Sequence, residues 1–94
     1  MQRRLELSYH GSTLTVEFGE PPGARLLVNG LVREQASGDG NNCLLRLSTT
    51  VQTDYEWHEF VEALVSYADS NIQVQLLANK ALLLDETCQR ETKS

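Results

Sequence analysis

The dipeptide Asn29-Gly30, set between Ala24–Val28 and Leu31–Gln35, constrains this chain more tightly than any other feature. A two-residue type I′ turn needs φ > 0 at both central positions, and Asn-Gly meets that demand at the least steric cost. A two-residue loop also fixes the register. Val28 then faces Leu31, Leu27 faces Val32, Leu26 faces Arg33, and Arg25 faces Glu34. The last is a cross-strand ion pair worth roughly 0.2–1 kcal/mol. Leu26, Val28 and Leu31 fall on one face of this hairpin, and Leu27 and Val32 on the other. Apolar residues on both faces require cover on both sides, from a curled sheet, a second layer or a partner subunit.

Strand periodicity extends to both sides of this hairpin. Arg4–Tyr9 alternates Leu5, Leu7 and Tyr9 with Glu6 and Ser8, and Thr13–Phe18 alternates Leu14, Val16 and Phe18 with polar residues. His10-Gly11-Ser12 joins them as a turn. Pro21-Pro22 then removes two backbone donors and interrupts pairing. Beyond the flexible composition of Ala36–Asn42, Cys43–Thr49 forms a fifth strand. Ile72–Ala78 and Ala81–Glu86 form a last hairpin around Asn79-Lys80. No internal repeat is read beyond this recurrence of hairpins.

Between the fifth strand and the last hairpin the period changes. Trp57, Phe60, Val61, Leu64 and Ala68 recur at the i, i+3, i+4, i+7, i+11 spacing of one helical face. Thr53-Asp54-Tyr55-Glu56 fits a capping box, and Asp69-Ser70-Asn71 a polar stop. The spacing predicts a helix over 53–69. The expected fold is therefore α+β: a mostly antiparallel sheet in the order β-β-β-β-β-α-β-β, with one amphipathic helix packed on it. Residues 1–86 form this single domain, and 87–94 a polar, disordered tail.

The chain has 94 residues and a formal net charge of −5, with 13 acids against 8 bases. That balance argues against nucleic-acid binding through a basic face. No apolar run reaches the roughly 18 residues of a membrane span, and the basic start lacks a signal-peptide core, so a cytoplasmic location is expected. In that reducing compartment Cys43 and Cys88 are expected as free thiols, the first buried and the second exposed.

Chemistry-bearing motifs are few. His58-Glu59-Phe60-Val61-Glu62 resembles the metalloprotease helix His-Glu-x-x-His with Glu in place of the second His. It lacks a third ligand and a walled cleft, so no metal or cofactor is assigned. Gly38-Asp39-Gly40-Asn41-Asn42 has neither the following helix of a phosphate loop nor the terminal Glu of a calcium loop. No nucleophile–base set is readable, and an enzyme is disfavoured.

What remains is the distribution of charge. From Leu47 to Asn79 there is no Lys or Arg, yet Asp54, Glu56, Glu59, Glu62 and Asp69 lie there. Outside it, acids and bases balance at eight each. On a helix, Tyr55, Glu56, Glu59 and Glu62 form one acidic face. The leading expectation is a non-catalytic interaction or regulatory module that docks a basic protein on that face. The alternative is a small-ligand protein or enzyme with a pocket between helix and sheet. The two-faced apolar strands (Leu27, Val32, Leu82, Leu84) also predict a homodimer.

Overall fold

A computed structural model describes residues 2–39, 42–52 and 58–90. Eight strands account for nearly all of them: β1 (Gln2–Tyr9), β2 (Ser12–Gly19), β3 (Gly23–Val28), β4 (Leu31–Ser37), β5 (Cys43–Gln52), β6 (His58–Tyr67), β7 (Asn71–Ala78) and β8 (Ala81–Gln89). They form two four-stranded antiparallel meanders, β1-β2-β3-β4 and β5-β6-β7-β8. The described residues are all-β, and the α+β expectation is wrong.

The error lies in one segment. His58–Tyr67 is a strand, paired with β5 from Cys43↔Tyr67 to Gln52↔His58 and with β7 from Val61↔Ala78 to Tyr67↔Ile72. Its sequence carries two periods at once. The helical set of Phe60, Val61 and Leu64 overlaps the alternating set Val61, Ala63, Val65 and Tyr67, and the alternating set is fully buried. Pairing decides between them. As a strand this segment satisfies the backbone of β5 and of β7 together, whereas a helix would leave both without that ladder. The expected capping box at Thr53-Asp54-Tyr55-Glu56, and Trp57, lie outside the described residues.

The two meanders follow one plan. Leu26-Leu27-Val28-Asn29-Gly30 returns fifty positions later as Leu76-Leu77-Ala78-Asn79-Lys80. Asn29 and Asn79 both take positive φ (52° and 50°). Each clasps the neighbouring strand with two bonds. Asn29 N–H donates to Thr13 O (2.8 Å) and its Oδ1 accepts from Thr13 N–H (2.9 Å). Asn79 does the same with Phe60, at 2.7 and 3.1 Å. Both outer hairpins also carry a bulge at one place, between Leu26 and Leu27 and between Leu76 and Leu77. The bulges leave Arg33 and Leu83 as extra residues. So the chain does contain an internal repeat.

The first bulge corrects the predicted register. Val28↔Leu31 and Leu27↔Val32 stand, but Leu26 then faces Glu34 and Arg25 faces Gln35. Arg25 pairs instead with Glu17 of β2, at 2.9 Å.

The apolar faces of the two sheets pack into one core. Leu14, Val16, Phe18, Leu26 and Val28 come from the first sheet, and Leu47, Val61, Val65, Val74 and Leu76 from the second. Leu27 lies on the outer face of the first sheet and is nonetheless buried. Strand β8 runs to Gln89, three residues beyond the expected domain limit at Glu86.

Candidate interaction surfaces

Several polar side chains tie one sheet to the other. At one end, the Tyr67 hydroxyl of β6 enters the hairpin between β2 and β3. It accepts from the N–H groups of Gly19 (3.0 Å) and Gly23 (3.2 Å), and the carbonyls of the same residues lie 2.9 and 2.6 Å away. One hydroxyl hydrogen serves one carbonyl at a time, so the oxygen is saturated. Beside it, Arg90 closes the same end. Its guanidinium binds both carboxylate oxygens of Glu20 (2.8 and 3.0 Å), donates to Ala68 O (2.8 Å) and lies 5.3 Å from the centre of the Tyr67 ring. The Arg90 hydrogen bonds hold the Glu20 carboxyl below the usual carboxylate range, and the same pairing raises Arg90.

At the other end, Tyr9 of β1 donates to Glu59 Oε2 (3.0 Å), which also accepts from the Asn79 amide. Burial pushes the Tyr9 hydroxyl up, and the Glu59 carboxylate adds to the shift. These contacts join the sheets; nothing in them is aimed at a vacant space.

The described part of the predicted acidic face, Glu59 and Glu62, is divided between two faces. On a strand, positions three apart point to opposite sides. Glu59 is in phase with the buried set Val61, Ala63, Val65 and Tyr67 and serves the Tyr9 contact. Glu62 is in phase with Phe60 and Leu64, on the outer face of the second sheet. Tyr55 and Glu56 lie outside the described residues. His58 and Glu62 share a face but stand about 13 Å apart at strand rise, too far for one metal ion. Among the described residues no three His, Cys, Asp or Glu side chains converge.

Cys43 and Cys88 are free and both half-buried. They occupy one row across the second sheet, Cys43–Tyr67–Ile72–Cys88. Three strand spacings, about 14 Å, separate them, which rules out a disulfide within the sheet.

With no helix among the described residues, the predicted pocket between helix and sheet is absent from them too. A shallow groove of ≈ 460 Å³ lies at the Gly19–Gly23 end of the first sheet, lined by Glu17, Pro21, Arg25 and Gln35 among others. The charges of Glu17 and Arg25 are spent on each other.

No match to this chain is found among protein-family models, curated proteins or solved structures. Function must be read from its surfaces.

The outer faces of the two sheets differ. In the first sheet the middle row Glu6–Thr15–Leu27–Val32 is closed at its centre, by Thr15 and Leu27, and open at its edge, where Val32 is 46% exposed. Thr15 is 1% exposed, and its hydroxyl donates to Glu6 Oε2 at 3.2 Å. The second sheet instead leaves Leu44 (57% exposed), Phe60 (39%) and Leu82 (53%) in water. Phe60 stands two positions from Glu62 along β6, and Leu82 lies in the row of Glu62 beyond Leu77; the direct cross-strand neighbours of Glu62, Ser48 and Leu77, are uncharged. Sequence reasoning misses this patch. Phe60, Glu62 and Leu64 stand on alternate positions, which is the signal for it, but the helical period of the same residues masks it.

Proposed function

We propose that this chain is a non-catalytic protein-interaction module whose docking surface is the outer face of the second sheet. The observation that carries the reading is the grouping of Phe60, Leu77 and Leu82 around Glu62. Large apolar side chains left in water on one face, rimmed by polar residues, are the usual mark of a contact surface. A single carboxylate among them favours a partner presenting an apolar patch with a base at its centre. Glu59, engaged with Tyr9 and Asn79, belongs to the scaffold in this reading.

Affinity capture from a native lysate tests it, with wild type beside Phe60→Ser, Glu62→Lys and a control at Arg25 on the opposite sheet. A protein held by wild type and by the Arg25 variant, and lost by the first two, is the expected result. Identical capture by all four chains overturns the proposal. Phe60 is 39% exposed and Glu62 half-buried, so Phe60→Ser should cost about 1–2 kcal/mol and Glu62→Lys less than about 1 kcal/mol, and circular dichroism should show both variants folded.

A further inference from the structure

Four strands border the two sheets, and three of their outer edges are blunted. β4 and β8 are bulged against their neighbours. β5 has its Ser48 N–H taken by Glu34 of β4, at 2.6 Å. Bulges and side-chain covers of this kind are how sheets avoid pairing with other chains.

β1 is different. Its ladder with β2 runs without interruption from Gln2↔Gly19 to Tyr9↔Ser12, and among the described residues no strand pairs with its other side. Leu5, Leu7 and Tyr9 face the core but are only partly buried, so their outward flank is open. A regular edge of this length presents a row of N–H and C=O groups to any extended chain.

The charges on β1 select which chain. In a two-fold antiparallel pairing centred on Leu5, Arg4 of one copy stands opposite Glu6 of the other, and the symmetry makes this contact twice. The same register sets Leu5 against Leu5 and Arg3 against Leu7. Centring on Arg4 or on Glu6 opposes like charges, and centring on Leu7 pairs no opposite charges. β8 offers no such register, since Asp85 and Glu86 have no base anywhere on that strand. We infer that the chain forms a homodimer through β1–β1 pairing centred on Leu5, which joins two first sheets into one of eight strands. This surface is separate from the face proposed above and does not rest on it.

Charge exchange provides the test. Arg4→Glu sets two carboxylates opposite each other across the pairing, and Glu6→Arg sets two guanidinium groups there. Each variant alone should therefore dissociate at least roughly tenfold more readily than wild type. An equimolar mixture of the two restores both opposite-charge contacts and should dimerise as wild type does, as read by sedimentation velocity over a range of concentrations. Glu6 also accepts from Thr15 and pairs with Arg4 of its own chain at 3.5 Å, both charges staying about half exposed. Hydrogen exchange on wild type therefore gives a measurement free of substitution: on concentrating the protein, the amides between Arg3 and Leu7 that point away from β2 should slow selectively. A monomer at the highest soluble concentration overturns the inference. So does a dimer whose protected amides lie elsewhere, or variants that dimerise like wild type, or a mixture no stronger than its components.

Discussion

The two sheets share a strand order, a turn asparagine with the same clasp, and a bulge at the same place, yet they finish differently. The first sheet covers the centre of its outer face, where Thr15 and Leu27 are buried and Arg25 binds Glu17, and leaves only Val32 of β4 open among its large apolar side chains there. The second leaves Leu44, Phe60 and Leu82 exposed. The common parts are those that fix register and turn geometry. The differing parts are side chains that a sheet can exchange without changing its backbone. One plan can therefore yield a face closed at its centre and a more open one in the same molecule, and the more open one is where contact with a partner is to be sought.

The strongest way to break this relation is at Tyr67, where the second sheet completes the first. Tyr67→Phe leaves the N–H groups of Gly19 and Gly23 without their acceptor in a buried site. It should cost about 2 kcal/mol, which thermal unfolding would show as a fall in melting temperature of roughly 8–16 °C. A loss below about 0.5 kcal/mol would mean that the hairpin end of the first sheet stands without the second.

Glu20 and Arg90 join the sheets at the same end by charge. The folded protein holds Glu20 below its ordinary value of 4.5, so below that pH the unfolded chain takes up the proton first. The contribution of the pair is thus complete above about pH 4.5 and is lost as the pH falls through the lower folded value. Urea midpoints measured between about pH 6 and about pH 3 should fall for wild type, and the fall should be shallower in Glu20→Gln.

The smallest effect concerns the two turns. Gly30 and Lys80 both take positive φ, 84° and 69°, but only glycine does so without strain. Lys80→Gly should stabilise by about 1 kcal/mol and Gly30→Lys destabilise by a similar amount. Equal and opposite shifts in the urea midpoint would show the turns to be equivalent, and unequal ones would rank them.

How much of this is legible in the sequence depends on how many signals each segment carries. The Asn29-Gly30 hairpin has alternation on both arms and turn chemistry between them, and it forms where expected. Its bulge is invisible, because an extra Arg33 on an exposed edge leaves no mark in composition. Ala24–Gln35 therefore keeps its turn and loses its predicted Arg25–Glu34 pair. His58–Tyr67 has compatible alternation and compatible helical spacing, and the decision belongs to β5 and β7, the strands it must pair. The two described members of the acidic site are separated in that segment. Glu59 and Glu62 are neighbours on a helix and opposed on a strand, so a single change of period divides the site between the core side and the surface. The Leu26–Gly30 and Leu76–Lys80 repeat is readable, but only as identical residues at Leu, Leu and Asn.

A chain made of two similar meanders invites division into halves that fold alone. The Tyr67 hydroxyl argues against it. Cut between the sheets, one fragment would hold the N–H groups of Gly19 and Gly23 and their carbonyls without the hydroxyl that serves them, and the other a tyrosine whose hydroxyl had lost its socket. Each fragment would carry half of a bond set that neither can complete. Mixed together, the fragments should find each other and regain a common structure, so that the two halves melt as one body.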